Sequence, residues 1–163
     1  MSLNFLKSLL QKKICSEFTN GGKMELIKFK NGKKTFSLNF QDGLFSFILS
    51  KKNLIFTKTA EIIVNPNVDL FKFKSNAKKL NLLIELLYNH GEVGTQYLTC
   101  DCNSELLSFT RYEKNGDMYI DYYCIGGVNT KHYPNEFILD KDKSKSLAKE
   151  IEVKLKLFDE DNS

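Results

Sequence analysis

The chain has 163 residues, of which 42% are hydrophobic and 27% charged, and a net charge of +4. This length suits one domain with a buried core, and this composition excludes a globally disordered protein. No apolar run approaches the ~20 residues that cross a bilayer, and residues 1–13 lack the features of a signal peptide. We therefore expect a cytoplasmic protein with no membrane partner, whose four cysteines are reduced thiols.

The charge is distributed unevenly along the chain. Residues 1–90 hold 15 Lys and 6 acidic residues, a net of +9, whereas residues 91–163 hold 9 basic and 14 acidic residues, a net of −5. A chain polarised in this way can offer one face to polyanions or lay its two halves against each other. The negative charge culminates in a short acidic tail at 159–163.

The first half predicts one helix, four strands and a second helix. Residues 2–16 carry apolar residues at helical spacing. Strands follow at 24–30, 33–40, 44–50 and 54–64, the first two joined by the hairpin signal Asn31-Gly32. The second helix spans roughly 75–91, with Ser75 or Asn76 as its cap and Gly91 as a left-handed residue after its end. Its apolar stripe comprises Ala77, Leu80, Leu83, Ile84 and Leu87.

The second half repeats this pattern. Strands are predicted at 96–102, 105–114, 117–125 and 128–133, with Asn115-Gly116 as the turn of another hairpin. Residues 137–139 lead into a C-terminal helix that Asp140 or Asp142 can cap. Its apolar stripe comprises Leu147, Ile151, Leu155 and Phe158.

These elements predict an α+β protein in which an N-terminal helix (1–18) precedes two β-β-β-β-α units, at 23–91 and 95–158. The strand-to-helix junctions of the two halves align with a slip of one residue, as expected of an internal repeat. We expect each antiparallel sheet to be covered by its own amphipathic helix within a single domain.

The polar faces of the two hairpins are the candidate binding surfaces. With two-residue loops, Lys30 pairs with Lys33, and Tyr112 pairs with Tyr119. Lysines that repel each other on one face are better satisfied by phosphates, and tyrosines give bases a surface on which to stack. The candidate nucleic-acid-binding residues are Lys28, Lys30, Lys33, Thr35, Tyr112, Tyr119 and Tyr123.

The sequence contains no catalytic or cofactor-binding motif. His90 is explained by the negative end of a helix dipole. A catalytic Cys–His pair with His132 lacks a third, orienting group. Cys100, Cys102, Cys124 and His132 could together bind zinc, but Cys-x-Cys with distant partners is unspecific, and thiols also fill cores well. We expect no catalytic residue, no metal and no cofactor.

Two β-β-β-β-α units with Lys- or Tyr-bearing sheets resemble a group of single-strand-binding proteins, namely the Whirly proteins, the Pur-alpha repeats and the coactivator-type proteins of cells and phages. The closest local likeness is NGDMYIDYYCIGG followed by EFILDKDKSKSLAKEIEVKL. The resemblance implies a non-enzymatic homo-oligomer that binds single-stranded DNA or RNA, encoded by a phage or other mobile element.

A second hypothesis is a protein-interaction module, such as an inhibitor or immunity-type protein, that binds a protein partner through a sheet face. The charged residues near the tyrosines do not distinguish a protein partner from nucleic acid. Asp117 and Asp121 favour a basic protein, whereas Arg111 and Lys114 favour nucleic acid. A third hypothesis is a small-ligand pocket between a sheet and the central helix.

Overall fold

The computed structural model describes residues 23–67, 69–70, 74–100, 104–124 and 136–161, without the side chains of 69–70, 74 and 157–161. The predicted N-terminal helix and the predicted strand at 128–133 lie outside the described residues, as do the side chain of Phe158 and those of the acidic tail.

The first half forms an antiparallel meander of four strands in chain order. Apolar and polar residues alternate along these strands, so one face joins the core and the other is polar. A short two-stranded pair precedes the first helix. The elements are β1 (Met24–Asn31), β2 (Lys34–Gln41), β3 (Leu44–Lys52), β4 (Thr57–Val64), β5 (Asp69–Leu70), β6 (Lys74–Ser75) and α1 (Asn76–Tyr88).

The second half forms another antiparallel four-stranded sheet followed by a helix. Its fourth described strand is the run at 137–139, which the sequence pattern assigned only as the approach to the helix. The elements are β7 (Gly94–Thr99), β8 (Glu105–Arg111), β9 (Met118–Cys124), β10 (Phe137–Leu139) and α2 (Lys141–Asp161).

The inner faces of the two sheets pack against each other through aromatic side chains. Phe36 of β2 meets Phe109 of β8 edge to face, with ring centroids 6.2 Å apart, and lies 6.0 Å from Phe137 of β10. Phe47 of β3 also contacts Phe109, at 6.1 Å. All four rings are fully or almost fully buried. The halves therefore share one core.

Both hairpins differ from the predicted register by two residues. Lys30 pairs with Thr35, because the central turn residues are Gly32 and Lys33. Gly32 supplies a positive φ of 61° at the first central position, where type II′ turns favour glycine. Thr110 pairs with Tyr119, because the second connection spans 112–117 and has its positive φ at Asn115. A shift of two leaves every side chain on its predicted face.

The N-terminal caps of both helices are confirmed. The Ser75 hydroxyl accepts a hydrogen bond from the Lys78 N–H at 3.1 Å, and an Asp140 carboxylate oxygen accepts one from the Lys143 N–H at 2.9 Å. The predicted left-handed Gly91 is wrong, because no positive φ occurs there. The end of α1 is held instead by Asn89 and by Arg111 of β8.

The helices are not divided between the sheets one to one. The backbone of α1 approaches α2 and β7 of the second sheet, and that of α2 approaches both β1 and β10. Neither helix therefore lies only against the sheet of its own half, contrary to the expectation that each sheet is covered by its own helix. Within the described ranges, no helix has the length and apolar character needed to cross a membrane.

Candidate nucleic-acid interface

The outer face of the second sheet carries the predicted tyrosines. Tyr119 and Tyr123 of β9 alternate with Ile120 and Tyr122, which lie in the core, so they point away from it. Tyr112 follows β8 and is 64% exposed, and Tyr123 is 47% exposed. The Tyr112 and Tyr119 rings meet edge to face, with centroids 5.3 Å apart. The structure therefore brings all three predicted tyrosines onto one face.

A fourth tyrosine joins this face and was missed in the sequence. Tyr97 of β7 is 51% exposed and lies in the row Tyr97, Ser108, Asp121 across the three strands. The signal was the alternation of Thr95, Tyr97 and Thr99 along one short strand. We call Tyr97, Tyr112, Tyr119 and Tyr123 the tyrosine face.

The polar groups of this face interact with one another. Partial burial raises the pKa of Tyr123, and the Asp121 carboxylate raises it further, while a hydrogen bond with Ser108 acts in the opposite direction. Burial also raises the pKa of Asp121 and outweighs the hydrogen bond from the Glu136 backbone. A partly buried carboxylate therefore lies among the phenols, and it repels phosphate in its ionised form.

An open depression of about 410 Å³ lies at one end of the tyrosine face. Its lining combines aromatic rings with acidic and amide groups, which can stack on a planar group and accept hydrogen bonds from it. The lining residues are Tyr112, Glu113, Asn115, Gly116, Asp117 and Tyr119.

The structure does not place the predicted lysines beside the tyrosines. Lys28 and Lys30 alternate with Ile27 and Phe29, which pack in or against the core, so they lie on the outer face of the first sheet. Since the two sheets pack through their inner faces, this face and the tyrosine face point away from each other. Thr35 lies on the lysine side, where its hydroxyl bonds that of Ser50.

The outer face of the first sheet is closed at its centre. Ser37, which pairs with Lys28, is buried, and so is Asn39 two residues further along β2. A ligand that spread over this face would have no access to these groups. The lysines of this face and its turn, Lys28, Lys30 and Lys33, are themselves exposed.

Lysines gather at one end of the first sheet. The Lys52 N–H donates to the Lys33 carbonyl at 2.8 Å, which places the β3–β4 loop beside the β1–β2 turn. Six lysines occupy this region, which we call the lysine end: Lys30, Lys33, Lys34, Lys51, Lys52 and Lys58.

The lysine end adjoins the edge of the tyrosine face. Lys34 Nζ donates to the backbone carbonyl of Glu136 at 3.0 Å, and the Glu136 backbone hydrogen-bonds Asp121. A chain lying on the tyrosines could therefore pass over Glu136 to reach these lysines.

Arg111 is not available to a ligand, contrary to the expectation that it favours nucleic acid. Its side chain is 0% exposed. Nη1 donates to the carbonyls of Leu86 and Asn89 at 2.7 Å and of Glu92 at 3.1 Å. Nε donates to the Gly116 carbonyl at 3.2 Å. The guanidinium thus holds the C-terminal end of α1, where its positive charge meets the negative end of the helix dipole.

The predicted role of His90 at the helix dipole is also wrong. His90 is buried, both ring nitrogens lack a hydrogen-bond partner, and burial together with Arg111 lowers its pKa. A neutral imidazole does not compensate the negative end of the helix dipole, and the Arg111 guanidinium already compensates it.

Two of the thiols considered as zinc ligands are described, and both are half-buried; the Cys100 sulfur accepts a hydrogen bond from the Glu105 N–H at 3.3 Å. Cys100 and Cys124 flank Glu105 on the neighbouring strands. Cys102 and His132 lie outside the described residues. No group of three or more metal-ligating side chains occurs in the part of the chain that the structure describes.

Comparison with family models, curated proteins and solved structures gave no match.

Proposed function

We propose that this protein binds single-stranded nucleic acid without catalysing a reaction. Four tyrosines on one antiparallel sheet face carry the proposal, three of them about half exposed or more. Bases stack on such rings whatever their sequence, while lysines meet the phosphates. In this proposal the bases lie on the tyrosine face and the backbone turns over Glu136 towards Lys33 and Lys52 at the lysine end. Lys28 is exposed on the outer face of the first sheet, two residues before the lysine end begins, and lies outside this proposed path.

The likeness to Whirly, Pur-alpha and coactivator-type proteins extends this proposal. Both halves run as a four-stranded meander followed by a helix. We take them as two copies of one β-β-β-β-α unit after an N-terminal helix, in a cytosolic homo-oligomer.

Fluorescence anisotropy with labelled single-stranded and duplex oligonucleotides tests the function. We expect tighter binding to single strands, which weakens as salt rises because bound phosphates release counterions. Tyr97→Ala and Tyr123→Ala should each cost about 1–3 kcal/mol if one base stacks on each ring. Tyr88→Ala is the matched control, because Tyr88 is an exposed tyrosine on α1, away from this sheet face. Equal affinity of all four proteins, or no binding at low salt, would refute the proposal.

A protein partner is the second candidate, and Asp121 is the observation that favours it. Its carboxylate stands on the tyrosine face, with Glu113 and Asp117 at the nearby depression. Such a face suits a basic protein surface.

Asp121→Asn separates the two candidates by the direction of its effect. Loss of this negative charge should tighten oligonucleotide binding, because a phosphate nearby is no longer repelled, whereas it should weaken a basic protein partner. Glu85→Gln, at an exposed carboxylate on α1, raises the net charge by the same amount and controls for a general change of net charge. Weaker oligonucleotide binding by Asp121→Asn would contradict stacking at this face.

A further inference from the structure

The β3–β4 loop, Asn53–Phe56, presents three consecutive apolar side chains to solvent. Leu54 is 99% exposed, Ile55 91% and Phe56 55%. The Asn53 N–H donates to the Phe56 carbonyl at 2.8 Å, and strand pairing continues up to Lys52 and Thr57, so the loop is a formed turn. Exposure of contiguous apolar surface is unfavourable in water and typically marks an interaction site. We call Leu54, Ile55 and Phe56 the apolar tip.

The apolar tip is surrounded by the lysine end. Lys51 and Lys58 pair across the strands just below it, and Lys58 Nζ lies 5.6 Å from the centroid of the Phe56 ring. Residues 30–35 and 50–59 together contain six lysines and no acidic residue. The end of this sheet is therefore a convex apolar tip with a cationic rim.

We propose that the apolar tip binds the surface of an anionic lipid bilayer. Leu54 and Ile55 enter the boundary between the headgroups and the acyl chains, and the lysines contact the anionic headgroups. Charge and hydrophobicity both match, because such a bilayer is anionic at its surface and apolar a few ångströms beneath it.

Other occupants match only half of this surface. A nucleic-acid strand would contact the lysines but would leave the Leu54 and Ile55 side chains in water. A second copy of the chain would need an apolar cleft, and the 410 Å³ depression is lined by Glu113, Asp117 and other polar groups. The bilayer is the occupant that uses both the tip and its rim.

This inference departs from the expectation of no membrane partner, which considered only spanning segments and the N-terminal helix. The sequence pattern assigned residues 54–64 to one strand, whereas β4 begins at Thr57. The exposed tip thus emerges only from the structure. The inference shares the lysine end with the proposed nucleic-acid binding, but it rests on the apolar tip, whereas that binding rests on the tyrosine face.

Co-sedimentation with vesicles tests the proposal. We expect the protein to bind vesicles of phosphatidylcholine and phosphatidylserine and to bind pure phosphatidylcholine at least about tenfold more weakly. The double variant Leu54→Ser/Ile55→Ser should lose about tenfold or more in vesicle binding, because two aliphatic side chains no longer enter the bilayer. Ile63→Ser is the matched control, since Ile63 is a half-exposed aliphatic residue of β4 away from the tip.

A fluorescent reporter tests insertion directly. The chain contains no tryptophan, so Phe56→Trp introduces a single one. We expect its emission to shift to the blue on anionic vesicles and to be quenched by brominated acyl chains. Tyr97→Trp, on the tyrosine face, should show neither change with vesicles.

The outcomes separate the two proposals. Loss of vesicle binding in the double variant, with oligonucleotide affinity retained, supports the bilayer. Absence of binding to anionic vesicles at low salt overturns it, as does undiminished binding by the double variant. Self-association that the double variant abolishes, without vesicle binding, also overturns it in favour of a second copy.

Discussion

At the scale of single residues, the clearest role that the structure assigns is that of Arg111 in stabilising the fold. Arg111 is the only arginine of the chain and is fully buried. Its Nη1 donates to three backbone carbonyls 19 to 25 residues earlier, which no local sequence pattern can identify. A residue that looked like a phosphate ligand thus serves to fix α1 against the second sheet.

Arg111→Met tests this role. Methionine retains much of the side-chain volume but leaves four carbonyls without their donor, so we expect a loss of about 3 kcal/mol in the free energy of unfolding. Lys114→Met, in the exposed connection after β8, should change stability by less than about 0.5 kcal/mol. Urea denaturation measures both. A small effect of Arg111→Met would mean that α1 holds its C-terminal end without the guanidinium.

The lowered pKa of His90 predicts how the free energy of unfolding depends on pH. Burial first and then Arg111 lower its pKa below 6.5, with Lys141 and Lys145 acting in the same direction and Asp142 opposing them. In the folded protein His90 stays neutral at pH values at which the same residue of the unfolded chain is protonated. Its contribution to the free energy of unfolding is therefore complete above about pH 6.5 and is lost as the pH falls below that value.

We therefore expect a lower urea midpoint at about pH 5.5 than at about pH 7.5. His90→Leu should reduce this difference, because an apolar side chain replaces two unpartnered nitrogens and does not titrate. Equal pH dependence in the wild type and the variant would assign the effect to other groups.

At the scale of elements, strand faces and helix stripes could be predicted, whereas registers could not. Leu80, Leu83, Ile84 and Leu87 are buried as the helical spacing of α1 requires. Each hairpin was misregistered because Asn-Gly was taken as the central pair of a two-residue loop. The structure uses Gly32-Lys33 in one turn and a longer connection in the other. The tyrosines were nevertheless placed on the correct face, since a slip of two preserves alternation.

Gly32→Ala tests the turn of the first hairpin. A Cβ there would meet no atom within 4 Å, so its whole cost is the positive φ of 61°. We expect a loss of about 1 kcal/mol in stability. Gly91→Ala is the control, because its φ is not positive and its Cβ would lie in ordinary contact with Asn89, 3.5 Å from Oδ1. Equal losses in the two variants would mean that the turn does not depend on the glycine.

At the scale of the whole molecule, the uneven charge of the sequence becomes two surfaces. The basic first half supplies the lysine end, and the acidic second half supplies the carboxylates around the tyrosine face. Their position relative to each other depends on how the sheets pack, which the sequence pattern did not reveal. For this reason the sequence could not show how the face of Lys28 and Lys30, on one sheet, is oriented relative to the face of the tyrosines, on the other.

The shared core also predicts that the two halves unfold together. Phe36 and Phe109 come from different halves, yet both are fully buried and their rings meet edge to face at 6.2 Å. We expect one urea transition, reported alike by tyrosine fluorescence and circular dichroism.

A double-mutant cycle tests the contact between the halves. The losses of stability caused by Phe36→Leu and Phe109→Leu should be non-additive by about 0.5–1.5 kcal/mol, the value of an aromatic pair. Phe45→Leu is the control partner, because Phe45 is equally buried and its ring pairs with Phe40. It should add to Phe109→Leu within about 0.5 kcal/mol. Two separate transitions, or additive effects for Phe36 and Phe109, would mean that each half folds around a core of its own.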